Sequence, residues 1–82
     1  MKVVKNYTFK KFIDEVLGNI VHFTANCELF PNFNIKGKVV SYYTNQYSLI
    51  LKVKIQAYNK IIDVDTNMAN LKFEVIKKGD LY

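Results

Sequence analysis

Four lysines and a tyrosine are the side chains of this sequence whose type and spacing best fit a binding role. Lys36 and Lys38 alternate along one segment, Lys52 and Lys54 along another, and Tyr42 follows the first pair. If both segments are antiparallel strands with their apolar faces inward, Lys38 lies opposite Lys52 and Lys36 opposite Lys54. Opposed lysines destabilise a sheet. This lysine face therefore predicts a surface for nucleic-acid phosphates or an acidic protein, or a solvated face that discourages aggregation.

The net charge agrees with an anionic partner. The chain of 82 residues has 12 basic and 7 acidic residues, a net charge of +5, and every basic residue is lysine. Arginine is the usual bidentate reader of guanine edges and phosphates, whereas lysine acts as a point charge. The composition predicts salt-sensitive, non-specific attraction dominated by phosphates. The abundance of Lys, Asn, Ile, Tyr and Phe also fits the AT-rich codons of a low-GC genome, which requires no function.

Few residues could support catalysis or bind a metal. The chain has one cysteine, Cys27, and one histidine, His22. A single cysteine excludes an intramolecular disulfide, and a histidine base needs an orienting carboxylate and a nucleophile that no spacing supplies. The oxygens of 63–74 follow the spacing of a calcium loop, but Met68 stands where that loop needs glycine. We predict no enzymatic activity, no cofactor and no metal site.

Length and composition predict one globular domain over residues 1–82. Half of the residues are hydrophobic and 23% are charged, which is typical of folded chains. No apolar run approaches the roughly 20 residues that span a bilayer. The segment Met1–Lys5 carries charge without a following apolar stretch, unlike a secretory signal. We expect a cytoplasmic protein with no membrane partner.

An amphipathic helix is predicted over residues 8–17. Apolar side chains recur there at the spacing of one helical face, at Phe9, Phe12, Ile13, Val16 and Leu17. Thr8 is a suitable N-cap, and Gly18 suits the left-handed position that ends many helices. We expect this apolar stripe to cover a sheet.

Five strands with a period of two are predicted after the helix. They cover about 20–30, 35–43, 47–57, 61–64 and 71–76, with a frayed tail over 77–82. Turn residues interrupt them at Pro31 and over 44–46. Ser41 and Tyr43 are expected on the inward face of the second strand, as is Gly37, which would permit a sharp bend or a close approach of the helix.

The order of these elements predicts an α+β fold. An N-terminal amphipathic helix packs on a curved antiparallel sheet of about five consecutive strands. The same strands could also close into a small SH3-like barrel. The pairing of the second strand with the third is the one that the pattern supports most directly.

Part of the chain resembles the Sm-like RNA-binding proteins. A leading helix and the segment 35–39, running on to Asn45 and 49–51, look like the first motif of that family, and 75–79 looks like the second. The acidic residue of the first motif is missing, with Tyr43 near its place, and the second motif lacks its arginine. The resemblance implies a small barrel that binds RNA.

Three functions remain open at this level. The first is a small non-enzymatic binding module that holds nucleic acid on the lysine face. The second is a protein-interaction or inhibitory module, of phage or plasmid origin, that docks on an acidic protein. The third is a self-assembling structural subunit, a homo-oligomer joined through Phe30, Phe33 and the tyrosines. Added salt should weaken binding in the first two cases, which depend on charge, but not the apolar association in the third.

Overall fold

The described part of the chain forms one α-helix and six strands. A computed structural model of the protein describes residues 1–77. Its elements are β1 (Lys2–Val3), α1 (Phe9–Val16), β2 (Ile20–Ala25), β3 (Phe33–Thr44), β4 (Leu49–Ile55), β5 (Lys60–Asp65) and β6 (Lys72–Lys77), with 3₁₀ turns at Val4–Asn6 and Gln56–Tyr58. The predicted α+β class is confirmed.

All strands belong to one antiparallel sheet in the order β1-β6-β2-β3-β4-β5. The five predicted strands correspond to β2–β6. The sixth, β1, was missed because a strand of two residues is too short to display a period. The SH3-like barrel is not confirmed, because β1 and β5 are the two edges of the described sheet and do not pair with each other.

The helix is one residue shorter at each end than the predicted 8–17, and the predicted end residues, Thr8 and Gly18, flank it. The Thr8 hydroxyl accepts a hydrogen bond from the Lys11 N–H at 3.3 Å, and Gly18 has a φ of 80°. The middle of the apolar stripe is buried, but Phe9 at its start is 49% exposed and Leu17 at its end is 41% exposed. The sheet thus covers the central part of the helical stripe and leaves both ends in contact with solvent.

Aromatic side chains join the helix to the sheet. The ring of Phe12 meets the ring of Phe73 edge to face, with centroids 5.1 Å apart, and the Tyr7 ring lies 5.2 Å from the same residue. The buried cluster also includes side chains from every long strand: Val21, Phe23, Ala25, Val39, Leu51, Val53, Val64 and Phe73. Burial of this apolar surface is the main force that holds helix and sheet together.

The strand predicted over 20–30 ends earlier, at Ala25. Cys27 and Phe30 exchange backbone hydrogen bonds of 3.1 and 3.3 Å, which close a tight turn before Pro31. Leu29, which falls inside the strand predicted over 20–30, therefore lies in this turn and is 84% exposed. Alternation of apolar and polar residues continued past the end of the strand, so the pattern alone could not locate the turn.

The loop between β3 and β4 is longer than predicted. The Asn45 side-chain oxygen accepts hydrogen bonds from the N–H groups of Tyr47 and Ser48, both at 2.8 Å. This side-chain cap stabilises a four-residue loop and makes Thr44 and Leu49 the last pair of the ladder. The predicted register, with Lys38 opposite Lys52 and Lys36 opposite Lys54, is therefore wrong: Lys38 pairs with Lys54, and Tyr47 is exposed in the loop.

A β-bulge at Val40 shifts the pairing of β3 with β4. Val39 pairs with Val53, but Ser41 pairs with Lys52, so Val40 is an extra residue without a partner on β4. An extra residue exchanges the two faces of the strand beyond it. Ser41 and Tyr43, predicted inward, consequently lie on the face of Lys52.

The remaining boundaries differ from prediction by a few residues. The strand predicted over 47–57 spans Leu49–Ile55, because Gln56–Tyr58 turns into a 3₁₀ helix that ends at Asn59 with a φ of 50°. The last two strands agree with prediction to within one residue at each end. Of the tail predicted over 77–82, Lys77 ends β6, and 78–82 lie outside the described residues.

Gly37 permits a close approach of β4 rather than of the helix. A Cβ atom on Gly37 would lie 2.5 Å from the Lys54 carbonyl oxygen and 2.8 Å from Val53 Cγ1. Both distances are shorter than real Cβ contacts, so a side chain cannot be placed there without moving the β4 backbone. The position is also buried. The predicted close approach at Gly37 is therefore made by β4 and not by the helix.

Replacement of Phe12 by Ala should lower the free energy of unfolding by about 3–5 kcal/mol, because the ring is 2% exposed and packs on Phe73. Urea unfolding monitored by circular dichroism measures the loss. Phe9→Ala on the same helix is the matched control and should cost much less, since Phe9 is half exposed. Equal losses in the two variants would contradict the packing of α1 described here.

Replacement of Gly37 by Ala should destabilise the protein by about 1–3 kcal/mol, because the new methyl group collides with the β4 backbone. Thermal and urea unfolding of the variant test this expectation. An unchanged stability would mean that β4 does not approach Gly37 as closely as described.

Candidate anion-binding site

Three lysines form an open lysine cluster on one face of the sheet: Lys36, Lys38 and Lys54. Lys38 lies directly opposite Lys54 in the β3–β4 ladder, and Lys36 is two residues away on the same face of β3. Val39 and Val53 follow and precede these lysines along their strands and are fully buried. Because successive side chains alternate between faces, the three ammonium groups lie on the face turned away from the core.

Within residues 1–77, no carboxylate forms an ion pair with the open lysine cluster. The ion pairs in that part of the chain are Lys2–Glu15 and Lys52–Asp63. Like charges directly opposite each other cost a sheet up to about 1 kcal/mol. An anion held between Lys38 and Lys54 would relieve that repulsion. The three lysines therefore concentrate positive charge that no carboxylate of residues 1–77 balances by an ion pair.

An apolar cleft adjoins the open lysine cluster near the end of β4. Its volume is about 280 Å³. It is lined by Ile20, Lys36, Gly37, Lys38, Ile55, Gln56 and Ala57. The cleft therefore brings aliphatic residues and two lysines of the cluster to the same end of the sheet.

Lys52 was predicted as a member of the lysine face, but its charge is locally balanced. Its Nζ atom lies 2.8 Å from an Asp63 carboxylate oxygen and 5.0 Å from the centre of the Tyr43 ring. The Tyr43 hydroxyl donates a hydrogen bond of 3.2 Å to the other Asp63 oxygen. The hydrogen bond with Asp63 raises the pKa of Lys52, and Lys52, with a smaller contribution from Tyr43, lowers the pKa of Asp63. Lys52 therefore offers less free positive charge than the three lysines of the cluster.

Tyr42 lies on the opposite face from the lysines with which it was predicted to act. It pairs with the fully buried Leu51, and its ring meets the ring of Phe9 on α1 edge to face at 5.8 Å. The bulge at Val40 is the physical reason, because it reverses the face on which every later residue of β3 lies. Tyr43 takes the position on the lysine face that the sequence pattern assigned to Tyr42.

Sequence reasoning missed the part of Asp63 in this site. Asp63 pairs with Lys52 across the β4–β5 ladder. The signal was present, since acidic residues alternate with apolar ones in β5 as lysines do in β4. The alternation predicts the Lys52–Asp63 pair only if the register of β4 with β5 is known. That register depends on the 3₁₀ turn at Gln56–Tyr58, which the apolar pattern does not indicate.

His22 and Cys27, the other side chains considered for catalysis or metal binding, do not form a site with each other. The His22 Nε2 atom lies 2.6 Å from the Asn34 side-chain oxygen on the neighbouring strand. Cys27 is a half-buried free thiol. Across residues 1–77, no three His, Cys, Asp or Glu side chains are grouped so that they could hold a metal ion.

Comparisons with protein-family models, with curated proteins and with solved structures found no match. This result gives no support to the resemblance with Sm-like proteins. In the described part of the chain, no helix is long and apolar enough to cross a membrane.

Replacement of Asp63 by Asn should change stability in a pH-dependent way. The pKa of Asp63 is lowered in the folded protein, so the carboxylate contributes stability above its ordinary range and loses it as the pH falls through the lowered value. The urea midpoint of the variant should lie below that of the original protein at pH 7, and the two midpoints should converge as the pH falls through the lowered pKa of Asp63.

The matched control for this change is Asp14→Asn, at an exposed acidic residue of α1 for which the structure shows no ion pair. It should show no such pH-dependent difference. If Asp63→Asn and the original protein have the same midpoint at every pH, the Lys52–Asp63 pair contributes nothing to stability.

Proposed function

We propose that this protein is a non-enzymatic binding module that holds a polyanion, nucleic acid in preference, on the open lysine cluster. The observation that carries the proposal is the direct opposition of Lys38 and Lys54, with Lys36 beside them and no carboxylate paired to any of the three within residues 1–77. Such an arrangement is unfavourable alone and favourable with an anion between the strands.

The side-chain chemistry favours phosphates over sequence reading. All 12 basic residues are lysine, which attracts phosphates as a point charge and lacks the planar fork that reads bases in pairs of hydrogen bonds. We therefore expect binding that depends strongly on salt and weakly on sequence.

The apolar cleft beside the cluster favours single strands over duplexes. In a single strand an unstacked base and its phosphate are available together, and the cleft is lined by Ile20, which pairs with Lys38, as well as by Lys36 and Lys38. A duplex hides the faces of its bases and offers only phosphates. Contacts between base faces and apolar surfaces do not depend on the base sequence. Binding without sequence preference also fits a chain that has no arginine to read base edges.

Docking on an acidic protein is the alternative partner for the same surface, as an interaction or inhibitory module would use it. A self-assembling subunit is favoured by a different observation, the exposed Leu29 and Phe30 at the β2–β3 turn. The lack of enzymatic activity, the cytoplasmic location and the phage or plasmid origin stay predictions from composition.

Labelled single-stranded DNA and RNA should bind with an affinity that falls steeply between about 50 and 200 mM salt. Three phosphate contacts give a slope of about −2 in the logarithm of the affinity against the logarithm of the salt concentration. The combined change of Lys36, Lys38 and Lys54 to Ser should abolish this slope in fluorescence anisotropy, and duplexes should bind more weakly than single strands.

The matched control removes the same charge elsewhere, by changing Lys5, Lys10 and Lys11 to Ser at exposed positions on the helix side of the chain. It should leave most of the affinity intact. Equal losses of affinity in the two triple variants would mean that binding depends on the net charge of the protein and not on the open lysine cluster. Absence of binding at low salt, together with capture of an acidic protein by the cluster, would favour the alternative partner.

A further inference from the structure

The edge strand β5 has main-chain groups that point away from the sheet. The Thr66 N–H donates to the Leu49 carbonyl at 3.1 Å, and the register pairs Val64 with Leu51. In an antiparallel ladder, residues that bond to the neighbouring strand alternate with residues that do not. Ile61 and Asp63 therefore direct their N–H and C=O groups outward, and within residues 1–77 β5 pairs with β4 alone.

A second cleft, of about 400 Å³, lies between this edge and the β2–β3 turn. Phe30 and Phe33 form its aromatic wall, with their rings edge to face at 6.1 Å, and Met68 closes one side. Phe33 and Met68 also pack against the hydrophobic core. The cleft thus offers apolar surface directly beside unpaired main-chain donors and acceptors.

The edge of this cleft is acidic, although the chain as a whole carries a net charge of +5. Asp63 and Asp65 both line it. Asp65 is exposed and has no ion pair within residues 1–77, and one of its oxygens accepts the Asn67 N–H at 2.8 Å. Because Lys52 balances Asp63, Asp65 is the carboxylate that gives this edge a charge opposite to that of the open lysine cluster.

We propose that the β5 edge and this cleft bind an extended peptide in which lysine and apolar residues alternate. The main chain of the peptide adds a strand beside Ile61 and Asp63, which is the β-augmentation mode of recognition. One set of its side chains lies beside Asp63 and Asp65, and the other set faces Phe33 and Met68, because successive residues of a strand point to opposite sides.

A second copy of this chain is a poorer occupant of the same edge. Two β5 strands paired around a twofold axis at Asp63 would place the Asp63 carboxylates of the two copies opposite each other, which destabilises a strand pair. The other edge, β1, has only two residues with which to pair. Charge complementarity therefore selects a basic partner peptide.

The probe is a fluorescein-labelled, amidated peptide of alternating lysine and valine, three of each, titrated with the full protein and followed by anisotropy. Saturable binding is expected. Ile61→Pro removes an outward N–H without removing a bond to β4, a change that edge strands tolerate, and should abolish binding. Asp65→Asn should weaken binding by about tenfold through loss of a charge-assisted contact.

The controls separate this site from the open lysine cluster and from misfolding. The combined change of Lys36, Lys38 and Lys54 to Ser should leave peptide binding intact, and Asp14→Asn should match the original protein. A peptide with glutamate in place of lysine should not bind. If Ile61→Pro fails to fold by circular dichroism, the comparison of Asp65→Asn with Asp14→Asn decides the result.

Three results would overturn the proposal. The first is the absence of saturable binding, in which case Asp63 and Asp65 guard the edge against pairing. The second is binding that neither Ile61→Pro nor Asp65→Asn weakens. The third is a dimer in analytical ultracentrifugation that Ile61→Pro dissociates, which would assign the edge to a second copy.

Discussion

One extra residue in β3 decides which side chains share each face of the sheet. Before Val40, β3 directs Val39 into the core and Lys38 outward. After Val40 the assignment reverses, so that Tyr42 turns toward α1 and contacts Phe9, while Tyr43 turns toward Lys52. The lysines thus lie together on one face without Tyr42, and the aromatic contact with Phe9 ties the end of β3 to the helix. Both consequences follow from the strict alternation of side chains along a strand.

The fold keeps Lys38 and Lys54 opposite each other because burial of the core stabilises the sheet by more than their repulsion destabilises it. Repulsion between Lys38 and Lys54 costs about 1 kcal/mol or less, whereas full burial of one aromatic or aliphatic side chain contributes about 1.5–3 kcal/mol. Val39 and Val53, which neighbour the two lysines in sequence, are fully buried. Gly37 adds a close contact between β3 and β4 that fixes the distance between the strands. The ammonium groups are therefore carried on regular, well-packed strands rather than on loops.

Local signals made much of the fold predictable. Thr8 and Gly18 fixed the ends of the helix, and apolar alternation located five strands, because both signals depend on neighbouring residues. The bulge at Val40 and the cap by Asn45 were not predictable from alternation, since each depends on hydrogen bonds that compete with the ladder. For the site, the opposition of lysines across β3 and β4 was anticipated, although with a register shifted by two residues. The balance of Lys52 by Asp63 was not, because it requires the register of a third strand.

The described surface thus has two regions of opposite charge, a basic one on β3 and β4 and an acidic cleft at the β5 edge. The most direct test of the basic region is a map of backbone amide chemical shifts during titration with single-stranded oligothymidine at about 50 mM salt, where electrostatic binding is strong. If single strands bind to the open lysine cluster, the largest shifts occur at 36–38 and 54–57, and α1 is unchanged. Shifts centred on α1 or on the β5 edge, or spread evenly over all lysines, would contradict binding at this cluster.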